Sequence, residues 1–216
     1  MPKLTRIPNA ARGLTKLNQP IVVVTRQISA HVQVSMHQHP WGQFVYASHG
    51  VLLVNANNHR YIVPPQQGVW VPANTLHEVT SQTDASIVSL YIDLAECKEL
   101  PMRSTVLAVS PLLQNLLKEA AQQPANIQWH SSEGRLLRLI RDFLLKATSI
   151  TFQLPYPTDK RLTRAVALVE NSDFERVDIQ SICGEIGMSV RNFSRLFKVE
   201  TGITFREWKL RQRIQM

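Results

Sequence analysis

The sequence predicts an α+β chain of two domains: a compact β-barrel or sandwich with a helical hairpin, then a small all-α domain. Three observations carry this. Between Ile21 and Asp93, short β-branched or leucine-rich runs alternate with turn residues. From Pro111 the apolar residues recur at helical spacing. From Lys160 onward, short amphipathic helices are separated by glycine and carry a basic face.

Residues 1–20 form an N-terminal arm. It is polar, with Lys3, Arg6, Arg12 and Lys16, and lacks the apolar stretch of a secretory signal. Residues 21–95 form the β-domain, with strands expected at Ile21–Arg26, Gly50–Asn55, Tyr61–Val63, Val69–Val71 and Ser86–Asp93. Turn chemistry separates them: His39-Pro40, Asn55 to Asn58, Pro64-Pro65 and Pro72-Ala73-Asn74. Short strands at this spacing suit a sandwich or barrel rather than βαβ units. Residues 96–150 read as a helical hairpin. Leu112, Leu113, Leu116, Leu117 and Ala120 mark one helix; Ser131-Ser132-Glu133 opens the next, striped by Leu136, Leu137, Leu139, Ile140, Phe143 and Leu144. The stripes serve either packing on the β-domain or a dimer seam. Residues 151–159, with Pro155 and Pro157, break the pattern and read as a linker.

Composition narrows the function classes. At 44% hydrophobic residues the chain can bury a core, and no apolar run reaches membrane-spanning length. Cys97 and Cys183 are far apart, which argues against a disulfide scaffold and for a reducing, cytoplasmic home. The net charge is +8. Residues 160–216 carry 11 Lys/Arg against 7 Asp/Glu, so positive charge is densest at the C-terminal end. An anionic partner follows, with nucleic acid first.

Residues 160–216 give the most specific signal. Leu162, Val166 and Val169 stripe a first helix. Asp178 is placed to cap a second, whose Ile179, Ile182, Cys183 and Ile186 face inward, and Gly187 ends it. Ser189 caps a third, with Phe193, Leu196 and Phe197 inward and Gly202 as its stop. On the outward face Arg191 and Arg195 are i,i+4 neighbours, as are Ser194 and Lys198, with Asn192 beside them. Arginine can donate twice to guanine and asparagine can pair with adenine in the major groove. Lys198 and the Ser189 hydroxyl suit phosphates.

The stretch from Asp178 to Ser189, followed by Phe193–Lys198 and Glu200–Phe205, resembles the first half of the DNA-binding domain of the AraC/XylS family. The resemblance implies that Arg191, Ser194 and Arg195 enter the groove, with Lys198 nearer the backbone. Cys183 stands where the family usually has alanine. Family members carry two helix-turn-helix units joined by a long helix. Thr204–Met216 resembles the start of that helix, and a second unit would need on the order of 50 further residues. With one reader of two, weak DNA binding by this chain alone is expected, because several phosphate contacts would be missing.

A second motif lies upstream: Met36-His-Gln-His-Pro-Trp-Gly-Gln43, then Gly68-Val-Trp-Val-Pro-Ala-Asn-Thr-Leu-His77. It resembles the paired motifs of cupin barrels, the usual sensor domain of that regulator family. The resemblance implies that His37, His39, Gln43 and His77 converge inside the barrel. Three imidazoles suit zinc, iron, nickel or copper, but metal-binding cupins usually carry glutamate where Gln43 stands, and an amide is a weaker, uncharged ligand. The alternative is a metal-free pocket in which these residues hydrogen-bond an effector. Trp41, Phe44, Tyr46, Trp70 and Tyr91 flank the motifs and are expected to wall that pocket, or else to be barrel core. Arg26 and Arg60 could meet an anionic ligand, though nothing in the sequence places them inside.

The leading expectation is a ligand-responsive, sequence-specific DNA-binding transcription regulator. Its effector occupies the barrel, its partners are DNA and a small molecule, the family implies a homodimer, and no membrane or obligate cofactor is called for. The alternative is a metal-dependent cupin enzyme, a dioxygenase or isomerase, with an accessory DNA-binding segment. A third reading, a shortened partner forming mixed dimers, draws only on where the sequence stops.

Overall fold

The computed structural model describes residues 4–9, 14–124, 127–150, 154–170 and 178–214. Lys3, Arg12, the first part of the expected linker (151–153) and the last two residues lie outside them. By internal contacts the chain divides into two units, residues 2–57 with 61–152, and residues 153–216 with 58–60.

The first unit is built on two sheets. One runs β1-β3-β8-β5-β6: β1 (Thr5–Ile7), β3 (Val32–His37), β8 (His77–Ser81), β5 (Leu52–Ala56) and β6 (His59–Val63), of which Tyr61–Val63 belong to this unit. The other runs β11-β10-β7-β4-β9-β2: β11 (Ser149–Ile150), β10 (Thr105–Ala108), β7 (Gln67–Val71), β4 (Gly42–His49), β9 (Ala85–Ile92) and β2 (Ile21–Ile28). A turn with Asn57 and Asn58 both at positive φ joins β5 to β6, the backbone hand that a two-residue hairpin needs.

Successive side chains of a strand point to opposite faces. Val45 and Ala47 of β4, Val69 and Val71 of β7 and Ile87 of β9 therefore point inward, where they meet Val34, Leu52, Val54, Tyr61, Val63 and Val79. Their neighbours Phe44, Tyr46, Trp70, Val88, Leu90 and Ile92 point outward. Helices α1 (Pro111–Ala120) and α2 (Ser132–Lys146) cover that outer face with Leu113, Leu117, Leu137, Ile140 and Leu144. Burial on both faces makes β4, β7 and β9 almost continuously apolar. Ser110 and Ser131 cap the helices by accepting from the N–H groups of Leu113 and Gly134.

One departure from expectation has a plain cause. The segment after residue 95 opens with a 3-10 turn (Leu94–Glu96) and strand β10 before the helices begin. Four residues are too few to show a period, and β10 exists because it pairs with β7. Of the hairpin leucines, Leu112 and Leu139 stay exposed at 53% and 44%.

The second unit holds strand β12 (Leu154–Pro155), which pairs with His59 and Arg60, and helices α3 (Lys160–Glu170), α4 (Ile179–Glu185), α5 (Val190–Thr201) and α6 (Phe205–Ile214). Part of the expected linker is thus strand. Leu162, Val166, Val169, Ile182, Cys183, Phe193, Phe197, Phe205 and Trp208 form the core. Both cysteines are free thiols.

Around Gly42 and Gly68 the outer face of the second sheet is tightly filled. A Cβ on Gly68 would meet the buried Phe44 ring, and one on Gly42 the buried Trp70 ring. We therefore expect Gly68→Ala to cost about 1–3 kcal/mol, read as a lower urea midpoint. An unchanged midpoint would show that Phe44 has room to move.

Candidate functional site

His37 ends β3, His39 lies two residues beyond, just before a bend at Pro40 and Trp41, and His77 opens β8. His37 and His77 are direct cross-strand partners, which sets their rings 4.2 Å apart. Gln43 comes from the facing sheet. The Nδ1 atoms of His37, His39 and His77 lie 2.7, 2.8 and 2.8 Å from the carbonyl oxygens of Ser35, Trp41 and Thr75. A carbonyl only accepts, so each Nδ1 carries the proton and each Nε2 presents a lone pair. One ligand atom from each ring lies within 4.8 Å of the others. Gln43 Oε1 sits 2.9 Å from His39 Nε2 and 3.0 Å from His77 Nε2, and Gln43 Nε2 is 3.2 Å from Ser89 Oγ. His37 Nε2 is buried with no partner among the described residues.

His37 and Gln43 line a cavity of about 30 Å³, room for roughly one water. Val24, Val34, Val45, Val79, Ile87 and Tyr91 supply apolar wall, and Asn9, Arg26 and Ser89 add polar groups. A larger cleft of about 640 Å³ opens outside, between Arg6–Asn9 and Leu14 of the arm and Ser35–Pro40. That size is within the range of small-molecule sites. The arm is held in place by named contacts. β1 pairs with β3, Arg26 Nη1 donates to the Pro8 carbonyl at 3.0 Å, and the Tyr91 hydroxyl donates to Asn9 Oδ1 at 2.9 Å.

The expected pocket residues separate. His37 and Gln43 line the cavity, His37 and His39 line the cleft, and His77 backs Gln43. Trp41 stacks on His39 with ring planes 8° apart and packs against Tyr91. Phe44, Tyr46 and Trp70 do not wall the pocket. They share the opposite strand parity from Gln43 and are core beneath the helices. Arg60 is also elsewhere, paired with Glu170 and stacked over Tyr156 in the second unit. Sequence reasoning left Arg26 unplaced and missed Ser89 and Asn9. Parity puts Arg26 on the face of Val24 and Ser89 on that of Tyr91, but which face meets the cavity is set by strand pairing.

As a cage for a resident divalent metal, the set fits poorly. The Gln43 amide already stands between two imidazoles, and the Arg26 cation lines the same cavity. Burial also disfavours charge on the rings. It holds the His37 and His39 pKa values below the ordinary 6.5 and drives that of His77 to about 3.

The second candidate site is the outer face of α5. Arg191, Asn192, Ser194, Arg195 and Lys198 are all exposed, while Phe193 and Phe197 are fully buried. The preceding turn is fixed by backbone bonds. Gly187, at φ +66°, donates to the Gly184 carbonyl, and Met188 donates to the Cys183 carbonyl. This pairing satisfies carbonyls that the end of α4 leaves free. Ser189 Oγ accepts from the Asn192 N–H, which leaves its hydroxyl proton to donate outward. Asp178 occupies the expected cap position of α4 but makes no side-chain cap bond. The overall geometry is helix, tight turn, helix, with the basic face on the second.

Residues 20–148 match the family model of the AraC-like ligand binding domain. The HTH-type transcriptional regulator NimR of Escherichia coli (strain K12) is 28% identical over 181 residues, 84% of this chain and 65% of NimR. The chain therefore spans just under two thirds of that relative's length. Among solved structures, apo ToxT K231A from Vibrio cholerae strain SCE256 aligns at TM-score 0.49 and 13% identity over 91% of this chain and 81% of that one. The AraC-like transcriptional activator CuxR aligns at 0.47 and 19%, over 90% and 76%.

The depressed pKa of His77 sets a pH dependence. The unfolded chain binds the proton that the folded site refuses, so stability is full above about pH 6.5 and falls as pH drops toward about 3. The slope is at most about 1.4 kcal/mol per pH unit for each such histidine. Urea unfolding between pH 7 and pH 4.5 should show this loss, with a shallower slope for His77→Gln. Equal slopes would mean that His77 takes up its proton in the fold.

Proposed function

The chain belongs to the family of the AraC-like ligand binding domain, and from that premise we propose that it is a ligand-responsive, sequence-specific DNA-binding transcription regulator. The observation that carries the proposal is the coexistence of two independently built sites in one chain. One is a cleft and cavity under the arm, lined by hydrogen-bonding groups and apolar walls. The other is a capped helix whose basic face is exposed and whose inner face is locked by aromatic packing.

In this reading a small organic effector enters the cleft beside His37 and His39. The inner cavity holds roughly one water, so deeper entry requires breaking the Arg26–Pro8 and Tyr91–Asn9 contacts. The arm is then part of the response, because a ligand that displaces it shifts the population of arm conformations. His37 Nε2 offers an acceptor and Arg26 a cation, so the effector carries an N–H or O–H together with an anionic or strongly accepting group. Arg191, Asn192, Ser194 and Arg195 read base edges, and Lys198 and Ser189 hold phosphates. Leu112 and Leu139, exposed on the helical hairpin, suit a homodimer contact. No described helix is long and apolar enough to cross a membrane, and a regulator of this kind works in the cytoplasm, beside its DNA. The Gln43 amide standing between His39 and His77 favours this reading over the metal-dependent enzyme.

Duplexes selected from a random pool by the purified chain provide the test. Arg195→Ala should weaken the selected site roughly ten- to hundred-fold and relax preference at one base position. Lys198→Ala should weaken all duplexes alike and flatten the salt dependence. Loss of neither affinity nor preference in Arg195→Ala would remove α5 as the reader. A small molecule that raises the chain's melting temperature should change duplex affinity, and Arg26→Ala should weaken its binding. Equal affinity with and without that molecule would refute ligand control.

A further inference from the structure

The centre of the barrel site poses a hydrogen-bonding problem. His39 and His77 each place Nδ1 against a backbone carbonyl, at 2.8 Å in both cases. Those carbonyls can only accept, so each neutral ring keeps its one proton on Nδ1 and turns a bare lone pair outward at Nε2. Both lone pairs meet the Gln43 side chain, at 2.9 and 3.0 Å. With the amide oxygen toward the rings, three acceptors face one another with no proton between them. Protonating a ring would cure this, but burial works against the charged form at both residues. A cation would cure it too, but it would have to displace the amide from between the rings and would meet the charge of Arg26, which lines the same cavity.

The oxygen and nitrogen of an amide have almost the same shape. A half-turn about the last side-chain bond exchanges them without moving any neighbour. After that turn the Gln43 NH2 group has two donors, and two imidazole lone pairs lie within reach of it. Its oxygen comes to face Ser89 Oγ, 3.2 Å away, whose hydroxyl can donate. Every side-chain polar atom of His39, His77 and Gln43 then has a partner of the right kind.

We infer that the Gln43 side-chain amide takes the place a metal ion would hold: its NH2 group donates to His39 Nε2 and His77 Nε2 at once, and its oxygen accepts from Ser89. Residue 43 thereby decides whether this three-histidine site binds a metal. The amide supplies two partial positive charges where an ion would supply two full ones, and it fixes both rings in the same tautomer that an ion would need. His37 is left as the one ring of the three whose Nε2 has no partner among the described residues. The assignment does not depend on the identity of an effector or on DNA binding.

Two measurements on the full chain test it. In nitrogen-correlated NMR of the histidine rings, His39 and His77 should show protonated Nδ1 and unprotonated, hydrogen-bonded Nε2. Both amide protons of Gln43 should be shifted downfield and slow to exchange. A protonated Nε2 on either ring would overturn the inference. In a cobalt(II) titration, the wild-type chain should develop no visible d–d bands, whereas Gln43→Glu should gain them at one equivalent, and His77→Asn in that background should abolish them. Wild-type chain taking one cobalt per molecule, with bands lost in His77→Asn, would equally overturn it. Should Gln43→Glu not fold, the NMR and the wild-type titration decide alone.

Discussion

The two-residue period of β4, in a sheet buried on both sides, is the constraint on which the first unit rests. From Gly42 to Ala47 no side chain reaches solvent, so each is committed to one of two interiors. The odd positions, Gln43, Val45 and Ala47, belong to the space between the sheets; the even ones, Phe44 and Tyr46, belong to the helices. A slip of one residue would bury the amide under α1 and α2 and put two aromatic rings into the cavity. The polar centre of the site and the apolar anchoring of the hairpin are thus fixed by a single register.

That constraint also explains which parts were legible in the sequence. The regulator-type helix pair was legible because its signals are local. Ser189 and Gly187 act within a few residues of themselves, and Gly202 closes α5 at φ +75°. The three histidines and Gln43 were legible through a spaced motif. The pocket walls were not, because they depend on which strands pair. Gln43 and Phe44 are adjacent and cannot both face a cavity, yet composition makes an aromatic near a histidine motif look like ligand lining. Arg26 reaches the cavity only because β2 lies beside β9 and β9 beside β4, a relation no local window contains. Strand β1 and strand β10 were hidden for the same reason. The first is three residues and the second four, each defined by its partner.

The second unit is organised by a different kind of economy. Its helices are short, and α4 spans seven residues, too few to be stable alone in water. It persists because Ile182 and Cys183 enter a core shared with Phe193, Phe197, Phe205 and Trp208. The aromatic rings meet mostly edge to face, at centroid distances of 4.9 to 6.1 Å. Caps satisfy the helix ends, including the reciprocal pair in which Thr204 Oγ1 accepts from the Glu207 N–H and Glu207 accepts from the Thr204 N–H. Such a core holds the outer face of α5 stiff while leaving its side chains free to meet a partner.

The close contacts of Gly42 with Trp70 and Gly68 with Phe44 bear on how this sequence can drift over generations. Phe44 and Trp70 are themselves cross-strand partners, so four positions share one crowded patch. None of the four can change size independently. A larger residue at either glycine is costly until its ring has shrunk, and a smaller ring leaves a hole until its glycine grows. Viable paths through sequence space therefore pass through paired replacements at these sites, while Gln43 next door is free of that bargain because it faces the other way.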